Sequence, residues 1–252
     1  MEKQVYADSN QPNNLSDRFN SDGFFFMKDQ IPKEVIQNFE NVTKKLFSTV
    51  AKEDETVSDT VIRLNKEDAP LLYRIYQTLS KMGETDDLRR HCFEIMNKLY
   101  PGKFHVELGA GLLMGIPSDE RLAYDWHQEV HYHEEFDDVI HFWIPVINEA
   151  NIANGTMSIL TSSHTKGKLD YALKAKTRPD SVTNLVIQEI PKLKEDHPEV
   201  FFKAQPGDIV GLDAYTVHRS NANSSNEVRF IVSCRLAAID KVPSAYDFEV
   251  KA

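Results

Sequence analysis

Residues 126–133 read WHQEVHYH, and the reading of the fold depends on how far this stretch stays extended. Ligand-type side chains fall at every second position: His127, Glu129, His131 and His133. In a β-strand alternate side chains share a face, so a strand through the whole stretch would present four metal ligands in a row. What surrounds the stretch decides how many belong together.

On both sides the chain reads as β-structure. KFHVELGAGLLMGI, DVIHFWIPVI, TMSILTSS, DIVGLDAY and VRFIVSCRL are short, rich in β-branched and aromatic residues, and separated by turn chemistry. The half before Lys103 is different. DGFFFMKDQI predicts a short buried strand entered through a glycine turn. Helices are then predicted from Pro32, with an apolar stripe of Val35, Ile36, Phe39, Val42 and Leu46, and over Ala69–Met82 and Thr85–Leu99. Residues 1–17 are polar and read as a loose arm. A charged stretch, Lys166–Lys203, contains a helical pattern (VTNLVIQEIPKLKED) broken at Pro191, and reads either as a lid or as a solvated connection. The expected architecture is α+β. One domain over residues 18–252 has a helical buttress at about 30–100 and a β-sandwich or barrel core at about 103–240.

Composition bounds the function. The 252 residues carry a formal net charge of −10, against the basic surface that a nucleic-acid partner requires. The two cysteines, Cys92 and Cys234, have no metal-type or framework spacing, which suits a reducing cytoplasm. The first residues lack the apolar core of a signal peptide, and no run is long enough to span a membrane. A cytoplasmic protein acting on a small molecule, with no membrane or nucleic-acid partner, is the expectation. The oligomeric state and the primary substrate are left open.

Alone, a histidine in a strand is more often structural than a ligand. His127 and Glu129, however, have a distant companion in His218, at the end of another predicted strand. Two histidines and a carboxylate make the facial triad of non-haem Fe(II) enzymes, which leaves coordination positions open; structural zinc would close the site with a fourth ligand. Eleven residues after His218 comes Arg229. Alternation places Arg229, Ile231, Ser233 and Arg235 on one face of the last strand, and Phe230, Val232, Cys234 and Leu236 on the other. An arginine facing into a barrel needs an anion, and a dicarboxylate co-substrate would supply one. Ser220 shares the strand face of His218 and is a candidate second donor to that carboxylate.

The stretches DGFFFMKDQIP, WHQE, NGTMSILTSSHTKG, QPGDIVGLDAYTVHRSNANSS and VRF together resemble the phytanoyl-CoA dioxygenase family of Fe(II)- and 2-oxoglutarate-dependent oxygenases, over about residues 17–237. The resemblance implies a double-stranded β-helix (jelly-roll, cupin-like) core. It also implies Fe(II), 2-oxoglutarate and O2 as cofactor and co-substrates, with ascorbate as reductant, and hydroxylation of a C–H bond with release of succinate and CO2. Carried over by position, His127, Glu129 and His218 resemble the catalytic iron ligands. Arg229 and Ser220 resemble the clamp on 2-oxoglutarate, Trp143 lines its pocket, and Gln128 has a positional role. The family more often has aspartate where this chain has Glu129, and TSSH replaces a more usual Pro-Gly-Ser-His turn, leaving His164 a structural role. Halogenating relatives have a small residue at the carboxylate position; Glu129 fills it, which favours hydroxylation.

Strands in such barrels end near the metal, so alternation need not run past Glu129. His131 and His133 then read first as solvent-facing residues or as residues one layer out from the metal; His131, Tyr132, His133 and Arg235 remain as candidates for substrate contact, with Arg235 equally readable as half of an internal ion pair. Two rival readings stay open. One is a cupin-type dioxygenase or isomerase built on His131, His133 and His218; the other is a non-catalytic metal-binding protein of the same fold.

Overall fold

The computed structural model of the chain describes residues 5–9, 15–119, 124–174 and 184–241. A short helix α1 (Leu15–Asp22) leads through Gly23 into strand β1 (Phe24–Met27). Four helices follow: α2 (Lys33–Ser48), α3 (Val57–Glu67), α4 (Ala69–Leu79) and α5 (Gly83–Leu99). The remaining elements are β2 (Phe104–Gly115), β3 (Asp138–Pro145), β4 (Met157–Leu160), β5 (Tyr171–Lys174), β6 (Asn184–Ile187), α6 (Ile190–Asp196), β7 (Glu199–Phe201), β8 (Ile209–Asp213), β9 (His218–Ser220) and β10 (Arg229–Ile239). No helix among the described residues is long and apolar enough to cross a membrane.

The strands form an antiparallel five-stranded sheet in the order β1-β8-β3-β10-β2, a three-stranded sheet β7-β4-β9, and a β5-β6 hairpin. The two larger sheets enclose an apolar layer that includes Phe24, Phe26, Trp143, Met157, Ile159, Val210, Leu212 and Ile231. The opposite face of the five-stranded sheet packs on the helices through Leu112, Phe142, Phe230, Val232, Cys234 and Leu236. This is the helix-buttressed double-stranded β-helix expected from the sequence. The strand alternation read for β10 holds, with Phe230, Val232, Cys234 and Leu236 against the helices and Ile231 between the sheets.

Local chemistry sets the elements. Pro32 caps α2 with φ −56°, and the deepest residues of that helix are Phe39, Thr43 and Phe47, one helical row beside the expected stripe. Helix α3 escapes an apolar-stripe reading but carries a capping box: Thr56 accepts from the Asp59 N–H, and the Asp59 carboxylate accepts from the Thr56 N–H. Gly211 on β8 faces Phe25 across the strand pair, and a Cβ there would overlap the Phe25 ring.

Three expectations need correction. Leu15–Asp17, placed in the arm, begin helix α1, with Leu15 buried. Residues 5–7 run along β7, with Ala7 N–H donating to the Phe201 carbonyl (2.8 Å) and Phe201 N–H to that of Val5 (2.9 Å). Asn184–Ile187, read as part of a helix, is strand β6; Pro191 then starts α6 near its first turn, where its missing N–H costs nothing, rather than breaking a longer helix. Residues 182–183 of that reading lie outside the described residues.

Phe142 is fully buried between sheet and helices and meets Phe25 edge-on with ring centroids 5.9 Å apart. Phe142→Ala is expected to lower unfolding free energy by about 3–5 kcal/mol, read as a shift of the urea midpoint at constant slope.

Candidate metal centre

His127 does not lie in a long strand. It makes an isolated antiparallel bridge to His218, in which each residue's N–H donates to the other's carbonyl at 2.9 and 3.0 Å. The bridge adds His127 to the free edge of β9 and sets the two imidazoles 4.2 Å apart, centroid to centroid. The chain then leaves the extended state. Glu129–Tyr132 form a 3-10 turn, anchored by the Val130 N–H on the Ala214 carbonyl at 3.0 Å. The alternation that would align four ligands therefore stops at Glu129.

Gln128, between the two ligands, is fully buried. Its amide nitrogen donates to the carbonyls of Gly167 (3.0 Å) and Tyr215 (2.6 Å), and its oxygen accepts from the Leu169 N–H (2.9 Å). One side chain thus ties the ligand segment to two loops. On the other side, Ser163 Oγ accepts from the Val217 N–H (2.9 Å), and Thr216 Oγ1 donates to the Gly23 carbonyl (2.6 Å), fixing the approach to His218. His164 in the neighbouring turn bonds the Asn20 carbonyl at 3.0 Å and stays away from the centre.

The ligand atoms of His127, Glu129 and His218 lie within 4.8 Å of one another, and all three residues are buried. Glu129 Oε1 is 3.8 Å from His127 Nε2 and 3.6 Å from His218 Nε2. Each imidazole has Nδ1 against a backbone carbonyl, Asp125 at 2.6 Å and Thr216 at 2.9 Å. Only a protonated Nδ1 can donate there, so each neutral ring turns a bare Nε2 toward the centre, the tautomer a metal requires. Burial, then the neighbouring His127 ring, lowers the His218 pKa, which favours its neutral form. Burial pushes the Glu129 carboxyl up, but Arg235 and His141 outweigh it and hold it well below the usual carboxylate range. Two imidazoles that turn Nε2 to the centre and one carboxylate in a buried cluster fit a first-row divalent metal with positions to spare.

Beside the cluster lies a cavity of about 370 Å³. Its wall includes Trp143, Ser220, Tyr132, His133 and Arg235, together with Gly109 and Gly111 of β2 and the hydroxyl-bearing Tyr76 and Tyr124. His131 is not on that wall; its ring packs 4.6 Å from Tyr171 of the β5-β6 hairpin. The cupin-type trio of His131, His133 and His218 is therefore not brought together, because the 3-10 turn points these side chains apart. Arg235 faces the cavity, but its guanidinium is committed to Glu129, with Nε to Oε2 at 3.1 Å and Nη2 to Oε1 at 3.0 Å.

Arg229 is buried at 4% exposure behind the wall, its guanidinium 5.9 Å from the Trp143 ring. Among the described residues its one hydrogen bond is a 3.4 Å contact to the Asn154 carbonyl, and its Nε has no partner. Burial alone pulls its pKa down to about 10. Among the described residues no carboxylate pairs with it. Gly115 opposite makes its room, since a Cβ there would stand 3.1 Å from the guanidinium carbon.

Sequence reasoning missed His141 and Ser233. His141 Nδ1 is 3.1 Å from Glu129 Oε1, and its Nε2 is 2.9 Å from Ser233 Oγ. Period-two alternation from Trp143 would have placed His141 on the cavity face, and Gly109, Gly111 and Gly115 at alternate positions of β2 mark the same face.

Burial, then the charge of Arg235, lowers the His141 pKa from 6.5 to about 3. An unfolded histidine gains its proton near pH 6.5 while the folded one does not, so the contribution is present above that pH and fades as pH falls toward about 3. Metal-free protein is expected to lose stability across this window, and His141→Gln to flatten the loss; urea midpoints measured as a function of pH test it.

The sequence profile of the phytanoyl-CoA dioxygenase (PhyH) family matches residues 19–231. The human peroxisomal phytanoyl-CoA dioxygenase is 23% identical over 236 residues, covering 88% of this chain and 67% of that protein. Among solved structures, the epimerase SnoN in complex with Fe3+, alpha ketoglutarate and nogalamycin RO superposes with a TM-score of 0.56 at 16% identity, covering 89% of this chain and 82% of that one. EctD from S. alaskensis with 2-oxoglutarate and 5-hydroxyectoine gives 0.54 at 16%, covering 94% and 83%. The nickel complex of the non-heme monooxygenase ThoJ gives 0.57 at 16%, covering 91% and 79%. With a bridged pair of histidines, a glutamate between them and a family profile spanning most of its length, this chain belongs to the phytanoyl-CoA dioxygenase family.

Proposed function

We propose that the protein is an Fe(II)- and 2-oxoglutarate-dependent oxygenase that hydroxylates a C–H bond of a small metabolite, with succinate and CO2 as co-products. The observation that carries this reading is the pairing of the His127–Glu129–His218 cluster with a buried guanidinium, Arg229, that has no anion of its own among the described residues. A buried unpaired charge costs several kcal/mol, and the distal carboxylate of a dicarboxylate co-substrate would relieve it. Bound iron, with 2-oxoglutarate and oxygen, supplies the oxidising power to cleave an unactivated C–H bond. SnoN and EctD, whose structures contain alpha ketoglutarate and 2-oxoglutarate, lend analogy through the fold.

The chain's own residues hold, orient and exclude. His127, Glu129 and His218 are the metal ligands. Arg229 receives the far carboxylate of 2-oxoglutarate, with Ser220 as a second donor and Trp143 as the wall between cavity and guanidinium. Tyr132 and His133, at the mouth, and the tyrosines Tyr76 and Tyr124 meet the substrate. The cavity of about 370 Å³ is at the small end of ligand pockets, which favours a compact metabolite over a buried coenzyme A ester. The β5-β6 hairpin covers the turn that forms the mouth: the Tyr132 hydroxyl bonds the Leu185 backbone, and Tyr171 packs on His131. That position suits the lid role read from the charged stretch.

Succinate formation from 2-oxoglutarate in air, with Fe(II) and ascorbate, and a mass gain of one oxygen in a member of a metabolite library are the expected outcomes. Absence of 2-oxoglutarate binding and of turnover with every pool would overturn the reading. Arg229→Met is expected to weaken 2-oxoglutarate binding at least about 30-fold, the equivalent of about 2 kcal/mol for truncating one side of a buried charge pair. Quenching of tryptophan fluorescence in Ni(II)-loaded protein is the measurement, since Trp143 adjoins the guanidinium.

A further inference from the structure

Arg235 lies opposite Gly109 on β2 and His141 on β3. Immediately after it the pairing with β2 slips by one residue, so that Leu236 faces Glu107 and Leu108 is left over. Such a bulge bends a strand and re-aims side chains beside it. Here it accompanies a guanidinium laid flat against the Glu129 carboxylate.

The donors and acceptors around that carboxylate have one consistent assignment. Arg235 can only donate, and it gives Nε–H to Glu129 Oε2 (3.1 Å), Nη2–H to Oε1 (3.0 Å) and Nη1–H to Ser233 Oγ (3.0 Å). Ser233, which accepts from Arg235, has its single hydroxyl hydrogen left for His141 Nε2 at 2.9 Å. His141 Nδ1 lies 3.1 Å from Oε1 but makes no aligned hydrogen bond to it. Each carboxylate oxygen thus takes one Arg235 N–H, and the two differ in direction: Oε1 faces His127 and His218.

We infer that Arg235 is a positioning residue that restricts Glu129 to one-oxygen binding of the metal, through a two-bond fork that locks the carboxylate with Oε1 alone turned to the two imidazoles. The inference rests on the metal-site reading above. Carboxylates bind metals through one oxygen or two, and glutamate, a methylene longer than aspartate, has more freedom to swing both into place. A second oxygen on the metal would consume a position the facial triad must leave open for 2-oxoglutarate or oxygen. Ser233 anchors the guanidinium and the His141 ring, and His141 packs against the carboxylate.

The test loads the purified full-length protein with Co(II) and records its visible ligand-field spectrum, its Co(II) affinity, and the affinity of the Co(II) form for 2-oxoglutarate. Four proteins are compared: wild type, Arg235→Met, Glu129→Asp and the double variant. Arg235→Met is expected to alter the Co(II) spectrum and to weaken 2-oxoglutarate binding by about tenfold or more, in the range seen for outer partners of metal ligands. Arg235→Lys, which keeps the charge but not the fork, is expected to restore little of either. Aspartate at position 129 is one methylene short of Arg235, so adding Arg235→Met to Glu129→Asp is expected to change neither readout further. An unchanged spectrum and unchanged 2-oxoglutarate affinity in Arg235→Met would overturn the role, as would equal losses in the glutamate and aspartate backgrounds. If Arg235→Met fails to fold by near-ultraviolet circular dichroism, Ser233→Ala, which removes the Nη1 anchor, carries the same comparison. Wild-type protein that binds no Co(II) would instead sink the metal-site reading itself.

Discussion

Two backbone hydrogen bonds, exchanged between His127 and His218 at 2.9 and 3.0 Å, are the constraint on which the rest of the site depends. They join residues far apart in sequence and bring two imidazoles into contact without either side chain contributing to the join. Because the backbone does this work, both rings are free to spend Nδ1 on a carbonyl and keep Nε2 for the centre. The supports are layered outward: β4 holds β9 in register, Ser163 holds Val217, and Gln128 ties the ligand segment to the loops around Gly167 and Tyr215. Each support is a buried polar contact, costly to leave unmade. A site so braced keeps its shape before any ligand arrives, which is what preorganisation requires.

The two inward arginines of β10 show how one strand face solves the same physical problem in two ways. Arg229 is buried and Arg235 half-buried, and desolvation opposes both charges. Arg235 answers with an internal carboxylate, and Glu129 holds its pKa above the usual guanidine range despite burial. Among the described residues Arg229 has no such answer, and burial alone draws its pKa down to about 10. The first arginine is paired with Glu129, and the second is the one that the proposed function assigns to a co-substrate.

What could be read beforehand followed from period and residue type. Strand alternation placed the faces of β10, and β-branched segments located β1 to β4, β8 and β10. Histidine and glutamate chemistry singled out His127, Glu129 and His218. What could not be read depended on register between strands. His141 comes beside Glu129, and Ser233 beside His141 and Arg235, only because β3 and β10 pair with Ser233 opposite Trp143, and no local pattern states that. The same limit explains Arg235, for which an ion pair and a substrate anchor were equally legible. The four-residue apolar run of Asn184–Ile187 is too short for periodicity to separate strand from helix; its pairing with β5 and the Ile187 N–H on the Trp126 carbonyl at 2.8 Å settle it.

The change of conformation at Glu129 divides the labour of WHQEVHYH. Up to Gln128 the segment is extended, and with Glu129, the first residue of the 3-10 turn, it builds the candidate metal cluster; the rest of the turn faces the mouth and the hairpin. Had the strand continued, His131 and His133 would have faced the same way as the ligands, and two further imidazoles near an open coordination sphere would compete for the positions it must keep free. Turning instead sends His131 to the hairpin, and Tyr132 and His133 to the cavity wall. The outward residues can then vary with the substrate while His127 and Glu129 stay fixed by contacts that none of them makes: the His218 bridge, the Gln128 bonds and the Arg235 fork. Substrate choice and metal geometry are thereby mechanically separate, although they are adjacent in sequence by a single residue.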